Sequence, residues 1–339
     1  MAISSWNAGI IRPVAVAPTG PFEDGAAPGV WTLDQVAYWT KQGLWPTAGN
    51  TLQRGLFGKQ NDITYIAIQS TGNSTDFGDL QPNMSQNAGC ASSTRGIFGT
   101  DNDTPTQIAY VTIATLGNST VFGNISSGKL ERVAALSNET RGIIAGGSDN
   151  IVGRLNVIQY ITIATTGNTT DFGDLTIVLD DSTGCASTTR GIIGGGGSTS
   201  TTNVIQYVTI ATTGDATDFG DLTLARYQPA SCSSNTRGVF AGGFKGGVGY
   251  SNIIDYVTIA TTGDATDFGD LTVARYGLAG CSSPTRGVFG GGTTGSNSNV
   301  MDYITIATTG NATDFGDLTL TAVDANSIVG ACSNCHGGL

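Results

Sequence analysis

Residues 256–276 read YVTIATTGDATDFGDLTVARY, and residues 280–292 read GCSSPTRGVFGGG. Both alternate short apolar runs with Gly, Asp, Ser and Pro, as short strands separated by tight turns do. The first string recurs. Its opening, Tyr-[IV]-[TA]-Ile-[AQ]-x-x-Gly, begins at Tyr65, Tyr110, Tyr160, Tyr207, Tyr256 and Tyr303, in steps of 45, 50, 47, 49 and 47 residues. A period of this length belongs to the blades of a β-propeller.

Twelve residues after each Tyr stands a Phe, at Phe77, Phe122, Phe172, Phe219, Phe268 and Phe315. An invariant spacing between two large side chains predicts that both pack into one layer, because a blade buries its faces only by stacking on neighbours. Upstream lies Arg-Gly, at Arg54, Arg95, Arg141, Arg190, Arg237 and Arg286. The Arg-to-Tyr distance runs 11, 15, 19, 17, 19 and 17, so the length variation sits mainly in one loop.

The sixth unit divides into strands over 277–282, 287–291, 300–308 and 314–319, the four-stranded unit of a propeller. Arg54 has no matching first strand before it, whereas SIVGACSNCHGGL, residues 327–339, resembles GLAGCSS without a second strand after it. The expectation is an all-β ring of six four-stranded blades over residues 51–339. The C-terminal strand completes the first blade and removes exposed sheet edges.

Composition agrees. The chain has 339 residues, 50 Gly and 12% charged residues, with few strong helix formers. Its formal net charge of −11, from 15 Lys plus Arg against 26 Asp plus Glu, repels phosphate backbones and anionic lipid, so nucleic acid is not an expected partner. The opening MAISSWNAGIIRPVAVAPTG lacks the basic and unbroken apolar regions of a secretory signal, and no 18-residue apolar run occurs. Synthesis in a cytoplasm without membrane insertion is the expectation.

The diglycines at Gly146–Gly147, Gly195–Gly196, Gly242–Gly243 and Gly291–Gly292, each followed by a Tyr on the next strand, resemble the kelch repeat. Lys59–Gln60 and Thr100–Asp101 replace them in the first two blades, and a Phe much further on replaces the usual kelch Trp, so the pattern is kelch-like. The wording YVTIATTGDATDFGDLTVARY with GCSSPTRGVFGGG is similar to repeats of virion structural proteins of tailed bacteriophages. Residues 28–46, PGVWTLDQVAYWTKQGLWP, also resemble a short element of such proteins. The resemblance implies a virion protein, of tail-fibre or decoration type, serving host attachment or contact with neighbouring subunits, alone or as an oligomer. A cytoplasmic kelch-type interaction module and a carbohydrate-active enzyme are the alternatives.

Residues 1–50 stand outside the repeat. Thr32 and Gln35 form a T-x-x-Q capping box, Leu33, Val36, Ala37 and Thr40 follow at helical spacing, and Gly43 is placed to stop the helix. Trp31, Trp39 and Trp45 crowd this segment. One short helix cannot bury them alone, so Trp31, Leu33, Val36, Trp39 and Trp45 are expected to dock on the propeller or on another virion protein.

No complete catalytic constellation is legible, and a non-enzymatic role is expected. Cys332, Cys335 and His336 spell C-S-N-C-H, the pattern of c-type haem attachment. However, Cys90, Cys185, Cys232 and Cys281 stand five residues before their Arg, and Cys332 is their copy in the closing blade, expected as a buried free thiol. One histidine cannot build an ordinary zinc or copper site, so no metal centre or cofactor is expected. Calcium stays open, because Asp215, Asp218 and Asp221, and Asp264, Asp267 and Asp270, offer oxygen ligands close together. The same aspartates could instead cap turn amides or pair with the repeated Arg.

The loops after the second and fourth strands open on one face, and the first of these is the variable loop. Asp101, Asp103, Asp149, Arg154, Phe244, Lys245 and Tyr250, with Tyr227 and Tyr276 on blade connections, are the candidate contacts with a host glycan or protein.

Overall fold

In a computed structural model of the chain, described for Asp34 and residues 53–84, 88–99, 106–127, 130–149, 151–198, 200–319 and 330–339, the repeat folds as an antiparallel meander. In the second blade Ala88–Ala91, Arg95–Gly99, Gln107–Thr112 and Thr120–Asn124 lie side by side in chain order. Four further blades repeat that order, their first strands at Ala134–Ser137, Thr183–Ala186, Ala230–Ser233 and Tyr276–Ser282.

The remaining blade joins distant parts of the chain. Gly330–Ser333 pairs antiparallel with Gly55–Gly58 of Arg54–Ala67, which in turn pairs with Thr75–Met84. Arg54–Ala67 must double back on itself. Eleven extended residues would span roughly 36 Å, yet the Arg54 guanidinium lies 4.8 Å from the Tyr65 ring centroid. This blade therefore also has four strands. The six first strands adjoin one another in a circle, with Gly330–Ser333 between Tyr276–Ser282 and Ala88–Ala91, and the ring is a six-bladed β-propeller.

The repeated residues fasten the blades. Each marker Tyr meets the Phe twelve residues on, edge to face, at centroid distances of 5.9–6.1 Å. Each repeated Arg lies over the Tyr of its own blade at 4.2–4.8 Å. Its Nη1 then donates to an Ile carbonyl of the next blade: Arg54 to Ile113, Arg95 to Ile163, Arg141 to Ile210, Arg190 to Ile259, Arg237 to Ile306 and Arg286 to Ile68, at 2.7–3.1 Å. Pairing of these arginines with the repeated aspartates, one of the two roles considered for those carboxylates, is thus not what the fold uses. Peptide carbonyls take the guanidinium.

The aspartates of the T-G-[DN] turn cap backbone amides. Asp215 Oδ1 accepts from Asp174 N and Asp264 Oδ1 from Asp221 N, each at 3.0 Å. Asn73, Asn118, Asn168 and Asn311 do the same for the other junctions. Asn serves as well as Asp because the bond needs an oxygen and no charge. In the same turn, Gly263 N donates to Phe219 O and Ala265 N to Asp221 O, covering the outer strand edge of the preceding blade. The Gly of DFG permits this approach: Gly220 has φ +145°, and a Cβ there would lie 2.5 Å from the Gly263 carbonyl.

Strand limits of the sixth blade differ from the sequence reading: the first strand is Tyr276–Ser282 and the second Arg286–Thr293. The third strand of the sixth blade ends at Thr305, not at 308, because Thr308 N turns back to Thr305 O. The fourth is Thr313–Asp317. In the first blade Gln60, standing where other blades carry the second glycine of the pair, adopts φ +54° itself. The N-terminal helix with Trp31, Leu33, Val36, Trp39 and Trp45 lies outside the described residues.

Candidate functional site

The six first strands enclose a narrow axial channel. Small residues line its middle, at Gly89, Ala135, Gly184, Ser231, Gly280 and Ala331. Close packing of neighbouring blades dictates them: a Cβ on Gly89 would lie 2.4 Å from Ala331 O, and one on Gly280 would lie 2.2 Å from Ser231 O. The channel offers spaces of only about 90 and 50 Å³, enough for a few waters and too little for an organic ligand.

Two positions further along, hydroxyls stitch the inner strands together. Ser137 Oγ donates to Ala91 O, Ser233 to Ala186 O, Ser282 to Ser233 O and Ser333 to Ser282 O, at 2.7–2.8 Å. Beyond them, residues 334–339 cross the lower mouth. Gly337 N donates to Ser233 O at 3.1 Å, and His336 Nε2 donates to Ala91 O at 3.0 Å. Gly338 N donates to His336 Nδ1 at 3.1 Å, which fixes the neutral Nε2–H tautomer. Burial pushes the His336 pKa down in keeping with this. The C-S-N-C-H string is thus strand and plug: Cys332 is a buried free thiol, Cys335 Sγ lies 3.6 Å from Ser282 O, and the imidazole is held by backbone.

The upper mouth is chemically richer. Arg132, Asp181, Gln228 and Gly277 are equivalent positions, four residues before the Cys site of the repeat, and all are left-handed, with φ of +61°, +55°, +51° and +66°. Three of them pass a backbone bond to the preceding blade: Asp181 N to Arg132 O, Gln228 N to Asp181 O and Gly277 N to Gln228 O. Side chains add to this ring. Gln228 Nε2 donates to Asp181 Oδ1 at 2.8 Å, and Arg132 Nε lies 3.9 Å from the same oxygen. Asp181 is mostly buried, and that burial lifts its pKa to about 6 against the opposing pull of Gln228 and the arginines.

Two β-ribbons rise from the variable loops beside this rim. Ser148–Asp149 pairs with Gly153–Arg154, and Phe244–Lys245 pairs with Gly249–Tyr250. Bridges between Glu131 and Ser148 and between Tyr227 and Phe244 tie these loops to the blade connections, on one face. Each ribbon leans on the next blade. Arg154 Nε donates to Asp180 Oδ1 at 2.7 Å, whereas Tyr250 stacks on Tyr276 at 5.6 Å with an interplanar angle of 10°. Phe244 lies 5.2 Å from Tyr227 and 5.5 Å from Tyr276.

Of the residues expected at this face, Tyr227, Phe244, Tyr250 and Tyr276 form one aromatic cluster, and Arg154 stands on its ionic side. Asp149 caps its own loop, accepting from Ile151 N and Val152 N. Lys245 is half-buried in its ribbon, paired with Gly249. Asp101 and Asp103 lie outside the described residues. Sequence reasoning missed Arg132, Asp181 and Gln228. Aligning the repeats on the Cys would have found them, since they share a register position with Gly277.

Among the described residues, no three His, Cys, Asp or Glu side chains converge as metal ligands. Buried ion pairs do occur, at Arg226–Asp255 (2.8 Å) and Arg275–Asp302 (2.7 Å), all four side chains fully buried. They lie within the fifth and sixth blades and brace the connections that carry Tyr227 and Tyr276. No protein-family model matches the chain, and no characterised protein matches it in sequence.

Proposed function

We propose that this chain is a non-enzymatic structural protein of a tailed-phage particle, joined to other virion proteins through residues 1–50 and presenting the upper face of its propeller to a host surface or neighbouring subunit. The virion assignment rests on the repeat wording and on the Trp-rich N-terminal element. The contact role rests mainly on one observation. The repeated Arg and the T-G-[DN] carboxylates and amides are engaged in blade-to-blade bonds, whereas the upper rim carries side chains that differ from blade to blade.

That face also exposes apolar tips, with Ile151 93% and Val248 74% accessible on the two ribbons. Such groups on a rigid scaffold mark interaction surfaces. Mass spectrometry of purified particles tests the reading: the chain should be present at fixed copy number, and a variant lacking residues 1–50 should fold yet fail to join particles. Absence from particles, with retained capture of a soluble partner, would favour an intracellular interaction module.

A further inference from the structure

The upper mouth holds a groove of about 510 Å³, bounded by Arg132, Arg154, Asp181, Tyr227, Gln228 and Tyr276. This is within the range of sites that enclose a small molecule. Three features of the groove define what fits it.

The floor carries polar side chains that the backbone does not require. The rim position demands a left-handed residue, and Gly277 meets that demand in the sixth blade without a Cβ. Non-glycine residues there cost about 1–2 kcal/mol each, yet three blades present a guanidinium, a carboxylate and a carboxamide. The backbone bonds of the rim would form with glycine at all these positions. All three line the groove, and strain carried at a ligand-sized groove points to a functional role for these side chains.

Charge is balanced inside the groove. Of its charged lining residues, Arg132 lies 3.9 Å from Asp181, and Arg154 is paired at 2.7 Å with Asp180, which is buried beside the lining. A strongly anionic or cationic ligand therefore finds no net attraction, and the acidic chain as a whole repels anions. A neutral ligand with many hydroxyls finds both donors and acceptors.

The groove also has an aromatic lining. Tyr227 and Tyr276 line the groove, at 6.2 Å from each other, and Phe244 and Tyr250 pack against their rings. An aromatic wall beside planar polar groups suits a ligand with an apolar face and a hydroxylated edge. A pyranose ring has both.

We infer that the groove binds a neutral saccharide, with a sugar face against Tyr227 and Tyr276 and its hydroxyls on Asp181, Gln228 and Arg132. The inference rests on the reading of this face as the contact surface and gives that contact a chemistry. No bond is made or broken.

Saturation-transfer NMR on the full chain tests it, with maltotriose, cellotriose, lactose and tri-N-acetylchitotriose as probes and sialyllactose as the anionic arm. At least one neutral probe should show transfer to its ring C–H protons. Tyr276→Ala and Gln228→Ala should each weaken that binding about tenfold or more while far-UV circular dichroism stays unchanged. Leu116→Ala, in a turn after a third strand and so on the opposite face, should bind as the parent does.

Absence of transfer from every neutral probe at about 10 mM, a range that detects even millimolar affinity, would overturn the inference. So would exclusive binding of sialyllactose, or binding indifferent to both rim variants. A parallel measurement of adherence to cells that propagate the particles separates the two readings. Adherence lost in Tyr276→Ala without saccharide binding sinks the sugar chemistry alone. Saccharide binding without adherence sinks the host-contact role alone.

Discussion

Arg286 donates Nη1 to the carbonyl oxygen of Ile68 at 3.1 Å, although 218 positions separate them in the chain. The same bond joins every other pair of neighbouring blades at a separation of 59 to 69 positions. Ring closure thus repeats the ordinary blade junction, and its stabilisation can be measured by the same substitution at different junctions.

Arg286→Ala removes a charge-assisted hydrogen bond, worth about 1.5–3 kcal/mol, and the contact over Tyr303 at 4.5 Å, worth about 0.5–2 kcal/mol. Urea unfolding should show a loss of about 2–4 kcal/mol. Arg190→Ala should lose a comparable amount. A much larger loss for Arg286→Ala would mean that closure depends on this single bond.

A pair of glycines separates steric approach from backbone strain. Gly220 and Gly263 have φ of +145° and +152°, yet a Cβ on Gly220 meets the next blade at 2.5 Å, whereas one on Gly263 meets nothing within 4 Å. Both Gly→Ala variants bear the φ penalty. Gly220→Ala should cost about 1–3 kcal/mol more, the usual cost of overpacking. Equal losses in thermal unfolding would show that the turn can withdraw freely.

The buried pair Arg226–Asp255 should respond unequally to single and double replacement. Arg226→Met leaves a carboxylate without its cation in the core and should cost about 3–5 kcal/mol, while Arg226→Met with Asp255→Leu should recover most of it. Gln206 occupies the place of Asp255 in the fourth blade, where it accepts from Thr176 N and Oγ1, so this site tolerates an uncharged residue. Chemical denaturation of the three proteins checks the order.

Acid should loosen the tail at the lower mouth. Burial holds the His336 pKa below its ordinary 6.5, so the folded state binds fewer protons there than the unfolded state. Its contribution is complete above pH 6.5 and is lost as pH falls from that value through the folded pKa. Glu139 favours the charged form and moderates the effect. Hydrogen exchange at Gly338 N, whose bond to Nδ1 protonation breaks, should accelerate in that range in the parent but not in His336→Gln.

Asp181 should give saccharide binding a pH dependence of its own. With a pKa of about 6, it loses an acceptor as pH falls through 6, and affinity should fall with it. Asp180, Arg132, Arg154 and Tyr227 surround it, and burial pushes the Tyr227 phenol further above its ordinary value, so that group stays neutral. Asp181→Asn should bind more weakly at pH 7 and show no titration near 6. Folding stability moves the other way, because a raised carboxylate pKa favours the folded, protonated form as pH drops from 6 toward 3.8.

The propeller was legible because its markers are local and repeated. Tyr256 and Phe268 stand twelve apart on adjacent strands, and so do their five counterparts, so one spacing announced one buried layer. The aromatic members of the upper face were legible for a related reason, since Phe244 and Tyr250 sit in the variable loop and Tyr227 and Tyr276 on blade connections. The plug was not legible. Cys335 and His336 follow a strand whose copies continue into a turn and an Arg-Gly strand, and no periodicity says where a divergent segment lies.

The sequence by itself determined the number of blades, their four strands, the first blade's completion by the C-terminal strand and the residues of the buried layer. These follow from period and spacing, which a chain displays along its length. Only the tertiary structure decided that Arg286 reaches Ile68, that Asp215 caps Asp174 rather than pairing with an Arg, and that Arg132, Asp181 and Gln228 face one groove. Those contacts join residues tens to hundreds of positions apart, and they exist because closing a ring brings equivalent points of different repeats within hydrogen-bond distance.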